Sequence, residues 1–119
     1  MPIPHPLPEP LVDLVARRFR LLGEPMRIRL LDRLRDGEQS VGDLAEGLGA
    51  SQQNVSKHLA ILHEAGIVER HKDGNRVVYA IADESVFALC ETVCGGLRNQ
   101  LAGLAQTLEA PISGLNAST

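Results

Sequence analysis

Residues 40–66 read "SVGDLAEGLGASQQNVSKHLAILHEAG", and the fold turns on this stretch. Ser40 stands where a helix N-cap belongs, Asp43 occupies the capping-box position, and Val41, Leu44, Ala45 and Leu48 share one helical face. Gly49-Ala50 leaves almost no loop before Ser51 offers a second N-cap, and the next helix directs Val55, Leu59 and Leu62 at the core. Two short helices joined by a glycine-containing turn form a helix-turn-helix. At about 100° per residue, that core direction places Gln53, Lys57 and Glu64 on the opposite face, with Asn54 beside them and Ser56 flanking. Gln and Asn pair bidentately with adenine, and Lys reaches guanine or phosphate, so the first turn carries base-reading chemistry. Ser51 and Gln52 fall where a nucleic-acid backbone would pass.

Outward from this pair, "MPIPHPLPEP" carries a proline at every second position and reads as an extended arm over residues 1–10. Leu11, Val12, Leu14, Val15, Phe19 and Leu22 predict a first helix that stops at "GEP". "MRIRLLDRL" predicts a second, with Ile28, Leu31 and Leu34 (or Leu30) inward and its arginines outward. After Gly66, "IVERH" and "RVVYAI" read as strands around a hairpin signalled by Asp73-Gly74. The hairpin tip "HKDGNR" offers Lys72, Asn75 and Arg76 for phosphate or minor-groove contact, which positions a protein without specifying sequence. A last helix runs from Asp83 to about Glu109, and residues 110–119 are expected to be a flexible tail. The winged helix and its dimerisation elements are expected to fill residues 11–109 as one domain.

Composition limits the function classes. The chain has 119 residues, 44% of them hydrophobic, with only three aromatic residues, so a helical core of Leu, Val, Ile and Ala is expected. No run approaches a membrane span, and the first residues lack the basic and apolar regions of a signal peptide, which points to the cytoplasm. The formal net charge is −3, but Arg17, Arg18, Arg20, Arg27, Arg29, Arg33 and Arg35 crowd the first third and Lys57, Arg70, Lys72 and Arg76 the middle. An acidic protein with a local basic face can bind a polyanion.

The last helix repeats Phe87, Cys90, Cys94, Leu97, Leu101, Leu104 and Leu108 at alternating intervals of three and four, the pattern of a helix packed along a seam. A second copy of the chain is the economical cover for that seam, with help from the first helix and its Leu14. Both cysteines of the chain lie on it. Free Cys packs as a small hydrophobe, so a core role is one reading. Thiols four apart on a helix are too distant for an unstrained disulfide but can meet one soft metal ion, so Cys90 and Cys94 are also metal candidates. Gly95 and Gly96 follow at once, and each is unfavourable in a helix interior by roughly 1 kcal/mol against Ala. A crossing point between two subunits would account for them.

"LLGEPMRIRLLDRL", "SVGDLAEGLGASQQNVSKHLAILHEAGIVERHKDGNRVVYAI" and the closing helix together resemble the ArsR/SmtB family of bacterial winged-helix repressors over about residues 11–108. The resemblance implies a mainly α fold with a small β-hairpin, a homodimer formed through its N- and C-terminal helices, and binding to an imperfectly palindromic operator. It implies release by a metal ion or another inducer, places Gln52 to His58 on the recognition helix, and places His71 to Arg76 on the wing. The family's metal sites are not reproduced. Ser40, Val41 and Gly42 stand where arsenic-type sensors carry Cys-Val-Cys, and Asp83, Ser85, Gly96 and Asn99 stand at the zinc-type positions, where only the Asp matches. His5 on the arm resembles the N-terminal His of nickel- and cobalt-type members. The expected function is therefore a DNA-binding repressor, with Ni, Zn, Cd, As or Cu or a thiol-reactive compound as effector. The alternative is a regulator with no small-molecule inducer. An enzyme is not expected, since no His or acidic side chain is placed as a base beside either thiol and Glu91 points off the seam.

Overall fold

The computed structural model describes residues 2–108, without the side chains of Ala105, Thr107 and Leu108. The expected tail at 110–119 lies outside the described residues. The chain falls into two compact units, divided between Asp83 and Glu84.

In the first unit, α1 (Glu9–Leu22) starts two residues earlier than expected, and Pro10 is tolerated in its first turn because no helical partner exists there for the missing N–H. α2 (Pro25–Leu34) starts on proline and is capped by Glu24, whose carboxylate accepts from the Arg27 backbone N–H at 3.1 Å. Its inward residues are Leu30, Leu31 and Leu34. Ile28, expected inward, is 45% exposed. Leu30 and Leu34 are four apart and define the inward direction with Leu31, and Ile28 falls to the side of that face.

A two-residue strand β1 (Gln39–Ser40) leads straight into α3 (Val41–Leu48), and α4 (Gln52–Glu64) follows after three residues. Ser40 and Ser51 are the two N-caps, accepting from the backbone N–H of Asp43 and Asn54 at 3.1 Å each. Gly49 ends α3 in the left-handed region at φ 63°, the conformation that lets so short a turn reverse the chain. Leu44, Val55, Leu59 and Leu62 are fully buried with Leu30 and Ile67, which makes α2, α3 and α4 one core.

The sheet has three antiparallel strands in the order β1-β3-β2, where β2 is Val68–Asp73 and β3 is Arg76–Ile81. Only the outer hairpin was legible, since a two-residue strand has no alternation to detect. β2 reaches two residues further toward the tip than expected, while β3 spans the expected residues. Asp73 pairs with Arg76, so the loop is Gly74-Asn75, with Gly74 at φ 64°.

The second unit is described through α5 (Ser85–Leu108), 24 residues long. No helix among the described residues is long and apolar enough to cross a membrane.

Candidate nucleic-acid interface

Capping by Ser51 fixes where α4 begins, and the burial of Val55, Leu59 and Leu62 fixes its rotation. Together they leave Gln52, Gln53, Asn54, Ser56 and Lys57 exposed on and around its first turn, with Ser51 exposed at the cap. The wing tip is exposed from Glu69 to Arg76, including Lys72 and Asn75. Between the two lies a groove of about 640 Å³, whose walls include Gln52 and Ser56 of α4 and Asn75 and Arg76 of the wing.

Two residues expected to contact DNA are engaged by the protein itself. Arg76 donates from Nη2 to Ser40 Oγ at 2.6 Å and to Asp43 Oδ2 at 2.5 Å. The guanidinium thus anchors the base of the wing to the N-terminus of α3, although more than half of its side chain stays exposed. His58 is turned away from the exposed face, its side chain 12% exposed, with Nδ1 3.1 Å from Arg27 Nη1 and 3.7 Å from Glu24 Oε2. The reason is rotational: at about 100° per residue, His58 lies only about 60° from Val55, on the side that meets α2. On the wing, His71 Nε2 lies 3.5 Å from Glu38 Oε2.

Sequence reasoning missed both ties. Glu24 before Pro25 was legible as a helix start, and Ser40 as a cap. Their partners stand 34 and 36 residues further along, and local pattern holds no signal for such pairings.

The residues assigned to a dimer interface are only partly covered in the single chain. Leu14 is 58% exposed on α1, a helix with no buried residue, beside exposed Val12, Val15 and Phe19. On α5, Leu97 is 53% exposed, Leu104 and Cys94 are exposed, and Phe87, Cys90 and Leu101 are half-buried. Gly95 and Gly96 stand roughly 120–140° round the helix from the mean direction of the seam. A Cβ built on either would meet nothing within 4 Å.

Cys90 and Cys94 are free thiols, and among the described residues no group of three or more His, Cys, Asp or Glu side chains comes together to hold a metal ion. Two thiolates are half of a four-coordinate soft-metal set, so further ligands would have to come from outside the described single chain. His5 is exposed on the arm.

A capped helix with an exposed amide-rich first turn, set beside an exposed basic hairpin and joined to it by one core, defines a winged helix-turn-helix protein of the DNA-reading class. A helix-turn-helix domain family matches residues 22–71. The transcriptional regulator KmtR of Mycobacterium tuberculosis is 41% identical over 83 residues, covering 70% of this chain and 64% of that protein. The crystal structure of M. tuberculosis Rv0081 superposes with a TM-score of 0.74 at 34% identity, covering 82% of this chain and 99% of that one. The solution structure of a homodimeric winged helix-turn-helix DNA-binding domain from Mycobacterium bovis, a possible ArsR-family regulator, matches with a TM-score of 0.67 at 33% identity over 77% of this chain and 88% of that one. The chain belongs to the ArsR/SmtB family of winged helix-turn-helix transcriptional regulators.

Proposed function

We propose that the protein is a cytoplasmic, homodimeric, sequence-specific repressor that is not an enzyme and leaves its operator when a soft metal ion or thiol-reactive compound acts on Cys90 and Cys94. The observation that carries the DNA-binding reading is the exposed first turn of α4, where Gln53, Asn54 and Lys57 are presented by a helix whose opposite face is wholly buried. Ser51, Gln52 and Ser56 flank it toward the backbone, and Lys72 and Asn75 extend the contact from the wing. The homodimeric M. bovis domain and the uncovered apolar faces of α1 and α5 support a two-fold dimer. Such a dimer reads an imperfect inverted repeat with half-sites about one helical turn, roughly 34–36 Å, apart.

The test is selection of a duplex from a randomised pool, followed by titration at several salt concentrations. Binding to a two-fold repeated site, with affinity falling steeply as salt rises, is the expected result. A flat salt dependence would sink the reading. Adding Ni, Zn, Cd, Cu(I), As(III) or an oxidant should release the duplex from wild type and not from a Cys90→Ser, Cys94→Ser double variant.

A second reading has the same DNA contacts and no small-molecule inducer. It is favoured by the placement of both cysteines on an apolar seam with Phe87, Leu97 and Leu101, where small hydrophobes pack. An unchanged response in the double variant would select it.

A further inference from the structure

Three features lie beyond the exposed first turn of α4: the groove beside Arg76, the uncovered apolar face of α1, and the joint between α4 and the start of α2. The first belongs to the interface already described and the second to the dimer already proposed. The third carries a separate inference.

At this joint one ring nitrogen stands between two partners with opposite demands. Arg27 Nη1 lies 3.1 Å from His58 Nδ1, and Glu24 Oε2 lies 3.7 Å from the same atom. A guanidinium only donates hydrogen bonds and a carboxylate only accepts them. Nδ1 can therefore serve Arg27 only without a proton, and Glu24 only with one. The Arg27 contact is the shorter, and as a hydrogen bond it requires a ring with no proton on Nδ1. Arg27 is fixed at the same time by Nε, which donates to the Leu21 carbonyl near the end of α1 at 2.6 Å. Its backbone N–H donates to the Glu24 carboxylate at 3.1 Å. A single guanidinium thus links the end of α1 to the recognition helix, next to the N-cap of α2.

We infer that His58 is a positioning residue: its neutral ring holds α4 to the α1–α2 junction through Arg27, and protonation at Nδ1 transfers the ring from Arg27 to Glu24. The proton comes from solvent and leaves two cations facing each other where a hydrogen bond had been. Glu24 would then have to share its carboxylate between the ring and the α2 cap. Among the other charged groups around α4, Arg17, Arg18 and Arg20 of α1, Arg29 and Asp32 of α2 and Glu64 of α4 are exposed, and Arg18 donates to the Ala65 carbonyl at 3.4 Å. From α3, Asp43 is bound to Arg76, and Glu46 lines the groove with Gln52 and Ser56, on the other side of α4. From β2, Glu69, Arg70, Lys72 and Asp73 are exposed along the wing, Arg33 of α2 donates to the Gly47 carbonyl at 2.8 Å, and Lys57 of α4 itself is exposed.

This inference rests on the DNA-binding reading for its consequence and on the ring alone for its chemistry, so the two are tested separately. Long-range ¹H–¹⁵N NMR of the full chain without DNA, above the histidine titration range, should find the His58 proton on Nε2. A proton on Nδ1 would overturn the inference. In the second arm, binding to a duplex selected from a randomised pool is followed between about pH 7.5 and pH 5.5, across the histidine range, for wild type and His58→Asn. Asparagine keeps an acceptor for Arg27 at the δ position and cannot take the charge. Wild type should lose roughly three- to tenfold more affinity on acidification than the variant, the size of one charge-assisted hydrogen bond partly compensated by Glu24. Coincident pH profiles would overturn the positioning role even if the tautomer is as expected. Failure of wild type to select any duplex would count against the DNA-binding reading, and the ring measurement would still decide the chemistry at the joint.

Discussion

Ser40→Ala should destabilise the protein by about 2 kcal/mol, although it removes one oxygen atom. Ser40 is 5% exposed and its Oγ does two things: it caps α3 by accepting from the Asp43 N–H at 3.1 Å, and it accepts from Arg76 Nη2 at 2.6 Å. Loss of an N-cap costs about 1 kcal/mol. A hydrogen bond to a charged donor contributes about 1.5–3 kcal/mol when well shielded. Arg76 is more than half exposed and keeps Asp43 at 2.5 Å, so this second term is discounted to about 1 kcal/mol. In a domain of this size the sum corresponds to a fall in Tm on the order of 10 °C at fixed protein concentration. The assay is thermal and urea unfolding of wild type, Ser40→Ala, Arg76→Ala and the double variant. The cycle should show a coupling of at least about 0.5 kcal/mol, because both changes break the same contact. A Ser40→Ala loss under about 0.5 kcal/mol, or strict additivity, would refute the view that one hydroxyl joins the wing to the helix-turn-helix.

Salt dependence separates anchoring from direct contact: Lys57→Ala should lower the salt slope of DNA binding by about one, as loss of a phosphate contact does, whereas Arg76→Ala should weaken binding with the slope unchanged. An Arg76→Ala slope reduced as much as that of Lys57→Ala would restore Arg76 to the reading surface. Leu14→Glu should shift the protein toward monomer in sedimentation at micromolar concentration, since it places a charge on the apolar face of α1; an unchanged dimer would move the interface elsewhere. Gly49→Ala should destabilise by about 1–2 kcal/mol in urea unfolding, because φ 63° is a left-handed conformation that L residues resist, and a neutral result would contradict the turn geometry.

The helix-turn-helix was legible because its signals are local and mutually consistent. Ser40 and Ser51 cap, Gly49 turns, and Val55, Leu59 and Leu62 repeat at helical spacing, so no distant residue is needed to decide the element. The hairpin was legible in kind but not in register, because Asp73-Gly74 and Gly74-Asn75 are both acceptable turns and cross-strand pairing chooses between them. β1 left no trace, being strand only because β3 lies alongside it. Among the residues proposed to read DNA, the exposure of Gln53, Asn54 and Lys57 followed from rotation about the helix axis. His58 and Arg76 did not, since each has a polar partner more than 30 residues away that decides which way the side chain turns.

The two unforeseen ties have a common consequence for how DNA reading depends on the rest of the chain. Arg76 joins the wing to α3, and Arg27 joins the end of α1 and the start of α2 to α4, so both reading elements are held by side-chain contacts at their bases as well as by the apolar core. α1 is the one element of the first unit with no buried residue between its ends and an exposed apolar face. An uncovered face of that kind leaves a helix only marginally stable alone, because helices in water depend on packing more than on propensity. If a second copy covers α1, dimerisation orders the Leu21 carbonyl that Arg27 grips, and Arg27 in turn holds His58. The recognition helix would then reach its reading position fully only in the dimer, which is the state that can engage both halves of an inverted repeat.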